Sequence, residues 1–179
     1  MEIRSRSQFG ELLEHLQLIN LPAAEVGVAE GRYARDILSW GVPLIYLVDL
    51  WEQVPGGYAC LAEWTDEEHE ANYQNCLKLI KSFGEERHKI LRGWTHEQCE
   101  FIPDNSLGFC YIDASHDYEN VLRDIHSYRP KVIEGGILAG HDWFLNGVRK
   151  AVTEYVFSNY LNLHLVKENE GDSSWWIQL

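Results

Sequence analysis

Apolar residues along the chain recur at two spacings, which predict helices and strands in turn. A helical spacing comes first, at Phe9, Leu12, Leu13 and Leu16. After Pro22 the apolar run "AAEVGVA" predicts a first strand, and "GRYARDILSW" predicts a helix closed by Gly41. The continuous apolar run "PLIYLVDL" predicts a second strand that is covered on both faces.

The same alternation continues through the rest of the chain. A helical face is predicted at Tyr73, Cys76, Leu77 and Ile80, and "RHKIL" predicts a third strand. A short helix "THEQCEF", a fourth strand "LGFCYID", a helix ending at Pro130 and a fifth strand "GGILAG" follow. Another helix is predicted at Val148, Val152, Tyr155 and Val156. The last two strands, "LNLHLVKE" and "SSWWIQL", are joined directly across "NEGD", which favours an antiparallel hairpin.

Strands that alternate with helices predict a parallel sheet, because parallel strands need long crossover connections. We therefore expect an α/β protein with a Rossmann-like, doubly wound, mostly parallel seven-stranded sheet and a C-terminal antiparallel hairpin. A length of 179 residues suits one domain over residues 1–179. In such sheets ligands bind outside the carboxyl ends of the strands.

Charge narrows the range of partners. Fifteen Lys and Arg against 28 Asp and Glu give a net charge of -13, which repels nucleic acid and anionic membranes. The first 17 residues lack the apolar core of a signal peptide, and the four cysteines show no CxxC spacing. A small-molecule partner and a cytoplasmic location are the expectations.

The first two strands end in residues that are typical of a nucleoside site. Glu25 lies in the first strand, and Gly27 and Gly31 flank the turn that follows it, which is either a plain tight turn or a ligand-binding turn. Asp49 ends the second strand, where a carboxylate can accept the hydroxyls of a ribose; it is otherwise a helix cap or a solvated acid. The turn lacks the full G-x-G-x-x-G pattern, and Glu30 would face a pyrophosphate, so a dinucleotide is disfavoured.

The fourth and fifth strands end in carboxylates and imidazoles. The stretch "YIDASHDYENVLRDI" carries Asp113, His116 and Asp117, and the fifth strand is followed by His141 and Asp142. If the two strands are neighbours, Asp113, His141 and Asp142 converge into a site for a hard divalent ion such as Mg²⁺ or Mn²⁺. Alternatively, Asp113 contacts only a bound nucleoside or caps a helix, and Asp117 is a good N-cap.

Four stretches resemble class I S-adenosylmethionine-dependent methyltransferases: "EVGVAEGRYA", "YLVDLW", "RGWTHEQCEFIPDNSLGFCYIDASHDYE" and "GGILAGHDW". The resemblance implies that the amino-acid end of S-adenosyl-L-methionine is surrounded by Glu25, Gly27, Ala29 and Gly31. It also implies that Asp49 holds the ribose and that Asp113 adjoins the cofactor. Trp94 and Thr95 would border the adenine, although an ordinary buried aromatic is an equal interpretation of Trp94.

Metal-dependent sugar and catechol O-methyltransferases are similar at the fourth and fifth strand ends. The resemblance implies that Asp113, His141 and Asp142 are metal ligands, with His141 in a position that usually holds a carboxylate. That departure leaves the identity of the ion open. Ser115 stands where some relatives have an aspartate base, and His116 is the candidate general base, with Asp113 and His141 beside it.

The expected function is methyl transfer to a small hydroxylated acceptor, sugar-like or aromatic, assisted by the metal. Three alternatives stay open: a metal-independent methyltransferase with a histidine base, an NAD-dependent oxidoreductase, and a non-catalytic nucleoside-binding module. Whether oxygen, nitrogen or carbon is methylated also stays open. The loop from Trp51 to Trp64, which contains Tyr58, either covers the acceptor or supplies packing anchors or a homodimer contact.

Overall fold

The computed structural model describes residues 1–54, 64–169 and 172–179. The strands in these residues are β1 Ala23–Val26, β2 Ile45–Asp49, β3 His88–Arg92, β4 Leu107–Ile112, β5 Val132–Gly140, β6 His164–Asn169 and β7 Asp172–Gln178. The α-helices are α1 Phe9–His15, α2 Arg32–Ser39, α3 Asp66–Ile80, α4 Thr95–Gln98, α5 Tyr118–Tyr128 and α6 Asn146–Ser158. Within these ranges no helix combines the length and apolar character needed to span a membrane.

The strands form one sheet in the order β3-β2-β1-β4-β5-β7-β6. Neighbouring strands from β3 to β5 are parallel, whereas β7 is antiparallel to both β5 and β6. The predicted fold class is therefore confirmed, including the C-terminal hairpin. The chain first extends the sheet on one side of β1 and then returns to its other side at β4. The carboxyl ends of β1 and β4 thus flank the point where the strand order reverses, which is where ligands bind in such sheets.

Each face of the sheet is covered by helices, as the continuous apolar runs predict. All residues of β1 and β4 are buried. Helices α1, α2 and α3 cover one face, where the Phe9 ring lies 5.3 Å from that of Phe109. Helices α5 and α6 cover the other face, and Val121 and Val152 belong to that apolar cluster. Because helices cover both faces of the sheet, the ends of the strands are the part of the sheet that a ligand can reach.

The fifth strand is longer than its predicted segment "GGILAG", because it begins at Val132. The register between β4 and β5 shifts between Leu107 and Phe109, and Gly135 adopts a φ of +79°. Two consecutive glycines usually mark a turn, but Gly135 and Gly136 form an irregularity within β5.

Most of the predicted loop from Trp51 to Trp64, including Tyr58, lies outside the described residues. At its start, Trp51 is buried, donates from its indole nitrogen to the Ala29 carbonyl at 2.9 Å, and packs against Tyr73. Trp51 is therefore a packing anchor. At the other end, the Trp64 ring contacts His69 edge to face, with 5.6 Å between ring centroids.

Candidate active site

The turn after β1 is pressed against the end of β4. Gly27 has a φ of +87°, a region that favours glycine, and its N–H donates to the Val48 carbonyl. A Cβ atom added to Gly27 would lie 2.1 Å from the carbonyl oxygen of Asp113. Only glycine therefore fits, and its small size brings the turn directly against the fourth strand end.

Asp49 holds this turn in place. One of its carboxylate oxygens accepts the main-chain N–H groups of Val28 and Ala29, at 2.7 and 2.9 Å. The other accepts the N–H of Trp51 at 2.9 Å. Oδ2 already accepts two hydrogen bonds, whereas Oδ1 accepts one and can accept another. The ribose contact of Asp49 therefore stays a prediction. Asp49 also has a structural role, because it holds the turn after β1, and the sequence did not reveal that role.

Glu25 is a buried acid at the centre of the sheet edge. It is 3% exposed, and its Oε2 atom has no hydrogen-bond partner among the described residues. Burial raises the pKa of Glu25 well above its ordinary value, and the nearby charges of Asp113 and Asp49 raise it further, whereas Arg6 opposes them. An unpaired buried acceptor fits a cationic ligand group such as an ammonium.

Trp94 and Thr95 follow β3, as predicted, but the Thr95 side chain is already engaged. Its hydroxyl donates to Asp124 at 2.6 Å, and the Tyr128 hydroxyl donates to the Thr95 carbonyl at 2.8 Å. These bonds fasten the start of α4 to α5. The predicted contact of Thr95 with an adenine is not tested by this geometry.

Sequence reasoning missed Asp124, which is 1% exposed. Burial raises the pKa of Asp124 to about 6, and the hydrogen bond from Thr95 opposes that increase. The sequence did contain a sign that Asp124 is buried, because Asp124 shares a helical face with Val121, Ile125 and Tyr128. An acid in an apolar stripe indicates a buried hydrogen-bond partner.

Asp124→Asn should become more stable relative to the wild-type protein as the pH rises. A carboxyl whose pKa is raised by folding binds more protons in the folded state. Its contribution to the free energy of unfolding therefore decreases as the pH rises from its unfolded pKa to its folded pKa. Asparagine removes that charge and can still accept the Thr95 hydrogen bond. From about pH 4 to about pH 8 the relative gain should approach about 3 kcal/mol, measured by urea unfolding.

Asp36→Asn, at a half-exposed position, serves as the control for the loss of a surface carboxyl group. Because other buried carboxyls titrate equally in both proteins, they cancel in the comparison. A pH-independent difference for Asp124→Asn would contradict the prediction.

The ends of β4 and β5 bring together the three predicted metal ligands. These strands are adjacent and parallel, and one ligand atom from each of Asp113, His141 and Asp142 lies within 4.8 Å of the others. His141 Nδ1 lies 3.8 Å from an Asp113 oxygen and 3.3 Å from an Asp142 oxygen. The three side chains are between 10% and 27% exposed, so the cluster is sheltered yet reachable. Two carboxylates and an imidazole fit a divalent ion.

Asp142 has a left-handed backbone, with a φ of 56°. Aspartate tolerates this region better than most residues, and such conformations cluster at functional sites. The turn breaks the alternation of side chains along the strand, so the side chains of His141 and Asp142 both reach the cluster. Asp142 Oδ2 also lies 2.7 Å from His116 Nε2.

The charges of the cluster shift its pKa values in opposite directions. Burial raises the pKa of Asp113 to about 7; Asp142 adds to this shift, and His141 opposes it. Burial also disfavours the charged form of Asp142, but hydrogen bonds from His116 and His141 outweigh it and lower the pKa of that carboxyl. Burial alone would lower the pKa of His116, but its bond to Asp142 raises it. Asp142 is therefore the most firmly ionised carboxylate of the cluster.

Asp117 and Ser115 have structural contacts beside the cluster. Asp117 accepts the main-chain N–H of Asn120 at 2.9 Å, which confirms it as the N-cap of α5. The buried Ser115 hydroxyl donates to Asp117 at 2.7 Å. The position of a possible aspartate base is thus filled by a hydroxyl that supports the helix cap.

The order of strands, with β1 beside β4 at the centre and a C-terminal hairpin, is that of class I S-adenosylmethionine-dependent methyltransferases. The chain belongs to the methyltransferase domain family, whose model matches residues 24–143. This span runs from β1 to the residue after Asp142. It includes the glycine turn, Asp49 and the three clustered side chains.

Solved structures of methyltransferases share the fold. The O-methyltransferase NovP is 19% identical over 96% of this chain and 76% of its own, with a TM-score of 0.67. An O-methyltransferase from Bacillus cereus, solved in complex with SAH, is 13% identical over 100% of this chain and 83% of its own, with a TM-score of 0.69. An rRNA methylase from Streptococcus thermophilus is 11% identical over 99% and 98%, with a TM-score of 0.70. Comparison with curated protein sequences gave no match.

Proposed function

We propose that the protein transfers the methyl group of S-adenosyl-L-methionine to a hydroxyl of a small sugar-like or aromatic acceptor, with help from a divalent ion. The observation that carries this proposal is the convergence of Asp113, His141 and Asp142 at the ends of two adjacent parallel strands. Membership of the methyltransferase family supports this reaction over a nicotinamide-dependent oxidation.

The cofactor would occupy the edge formed by β1, β2 and β4. Gly27 allows a close approach of the main chain, and the unpaired oxygen of Glu25 suits the α-amino group of the cofactor. Asp49 Oδ1 would accept a hydrogen bond from a ribose hydroxyl. A positively charged sulfonium would stabilise the ionised forms of Glu25 and Asp113, whose pKa values are raised, whereas an anionic dinucleotide would destabilise them.

Asp113, His141 and Asp142 would hold Mg²⁺ or Mn²⁺. When bound, the ion supplies Lewis acidity that lowers the pKa of an acceptor hydroxyl and orients it. The protein positions the two reactants and excludes water from them. His116 donates a hydrogen bond to Asp142, which keeps this carboxylate charged and oriented.

A small acceptor is favoured over nucleic acid, although an rRNA methylase shares the fold. The net charge of -13 opposes the approach of a phosphate backbone. Two of the three candidate ligands at the open sheet edge, Asp113 and Asp142, are themselves acidic. We therefore propose that the methyl acceptor is a small molecule.

Binding of the demethylated cofactor tests the nucleoside site without knowledge of the acceptor. S-Adenosylhomocysteine should raise the melting temperature, whereas NAD should leave it unchanged, because only a ligand of the folded state stabilises it. Asp49→Ala should weaken the affinity for S-adenosylhomocysteine by about 10- to 100-fold, since a hydrogen bond to a charged group contributes about 1.5 to 3 kcal/mol. Isothermal titration calorimetry measures this change.

Asp104→Ala is the matched control, because Asp104 is exposed and pairs with Lys131 away from the strand carboxyl ends. It should bind S-adenosylhomocysteine as the wild-type protein does. Unchanged affinity in Asp49→Ala would contradict the ribose assignment. No melting shift with S-adenosylhomocysteine would contradict the cofactor itself.

A further inference from the structure

A small cavity adjoins the metal-ligand cluster, between the sheet and helices α5 and α6. Its volume is about 10 Å³; Ile112, Val121 and Val148 form its apolar wall, and the cluster residues Asp113, His141 and Asp142 also line it. Two aromatic rings, those of His116 and Trp175, also line it. A polar cavity of this size has room for one water molecule.

Each of the two rings has a buried nitrogen without a partner among the described residues: Nδ1 of His116 and Nε1 of Trp175. Trp175 is 1% exposed, so its indole N–H has no access to bulk water. A buried polar group that lacks a hydrogen bond costs about 1 to 3 kcal/mol. Two such groups beside one cavity therefore indicate a shared partner inside it.

The hydrogen-bonding chemistry of the two nitrogens is complementary. His116 Nε2 lies 2.7 Å from Asp142 Oδ2, so it is the nitrogen that donates. In the neutral imidazole Nδ1 is then an acceptor, whereas the indole of Trp175 can only donate. A single water accepts from the indole and donates to Nδ1 of the neutral imidazole; when His116 is protonated, the same water accepts from both nitrogens.

The indole of Trp175 and the main chain of His116 are closely packed. A Cβ atom on Gly140 would lie 2.7 Å from the indole of Trp175, and one on Gly147 would lie 2.2 Å from the His116 carbonyl oxygen. The sheet and the first turn of α6 are thus in close contact with the two residues.

We propose that one buried water bridges Trp175 Nε1 to His116 Nδ1 and that this bridge makes His116 a positioning residue for Asp142. The bridge fixes the imidazole tautomer that donates from Nε2, and this donor orients the Asp142 carboxylate towards the ion. Both nitrogens of His116 are then engaged within the protein, so this role differs from that of a general base. The bridge itself stands without a metal, whereas the positioning role rests on the proposed function.

The first experiment detects the bridge in the metal-free protein. In ¹⁵N-labelled wild-type protein at alkaline pH, His116 should carry its proton on Nε2, and the Trp175 indole proton should show a cross-peak to a long-lived water. In Trp175→Phe the His116 population should shift towards the other tautomer. Trp40→Phe removes an indole on the opposite face of the sheet and should leave the His116 spectrum unchanged.

Absence of the water cross-peak at Trp175 in the folded wild-type protein would overturn the bridge, whatever the variants do. Unchanged His116 nitrogen shifts in Trp175→Phe would overturn it as well. Neither result depends on a metal or an acceptor, so they are separate from a failure of the proposed function.

The second experiment tests the positioning role by Mn²⁺ binding, measured by electron paramagnetic resonance. Trp175→Phe should weaken Mn²⁺ affinity by about 10-fold, which is a small effect for the loss of a group that supports a metal ligand. The affinity for S-adenosylhomocysteine should stay unchanged. His116→Gln keeps an N–H donor towards Asp142 and should bind Mn²⁺ more tightly than His116→Ala. Equal Mn²⁺ affinity in Trp175→Phe and wild type, or a wild type that binds no Mn²⁺, would overturn the positioning role.

Discussion

Asp142→Asn is expected to weaken Mn²⁺ binding by at least about 100-fold and to lower methyl transfer to a hydroxylated acceptor by about 100- to 1000-fold. Asp142 is the ligand whose negative charge is best secured, because hydrogen bonds from His116 and His141 lower its pKa. Asparagine has nearly the same shape but no charge. Mn²⁺ binding and the transfer of a radiolabelled methyl group measure the two effects, and a chelator should reproduce the second in the wild-type protein.

Asp117→Asn is the matched control for this variant. Asp117 lies beside the cluster but caps α5, and asparagine is an equally good N-cap. The control should therefore bind Mn²⁺ with nearly wild-type affinity. Two results together would exclude the metal: turnover that a chelator does not reduce, and normal Mn²⁺ affinity in Asp142→Asn. The remaining alternative would then be a metal-independent methyltransferase in which His116 acts as the base.

Gly27→Ala should destabilise the protein by about 3 to 5 kcal/mol and abolish binding of S-adenosylhomocysteine. The new Cβ would lie 2.1 Å from the main-chain oxygen of Asp113, and neither backbone segment can move without disturbing the parallel pair β1–β4. The positive φ of 87° adds a smaller cost. Urea unfolding and calorimetry measure the two losses.

Gly41→Ala separates the clash from the backbone cost. Gly41 also has a positive φ, of 102°, but nothing lies within 4 Å of an added Cβ. Its substitution should cost only about 1 to 2 kcal/mol. If both variants lost the same stability, the close contact between the turn and the fourth strand end would be of no energetic importance.

The elements were predictable because buried parallel strands need continuous apolar runs. "PLIYLVDL" and "LGFCYID" contain β2 and β4, which are buried on both faces. The start of β5 could not be predicted in this way. Its glycine pair, Gly135 and Gly136, lies inside the strand, and the hydrogen bond from the Gly135 N–H to the Leu179 carbonyl depends on the distant C-terminus.

The metal-ligand cluster was predictable for a topological reason: Asp113 and the pair His141–Asp142 follow strands that become neighbours. The contacts that support the cluster were not. Residue types do not reveal that His116 meets Asp142, or that Thr95 meets Asp124, because these pairs join elements far apart in the chain. The main-chain hydrogen bonds of Asp49 depend on the exact path of the turn.

Trp51 and Thr65 flank the segment that joins β2 to α3. The Trp51 indole is bonded to Ala29, its carbonyl accepts from Arg92, and Thr65 forms a capping box with Glu68 at the start of α3. Both ends are thus secured by residues outside the segment between them. Substitutions within the segment between Trp51 and Thr65 should therefore leave β2 and α3 in place.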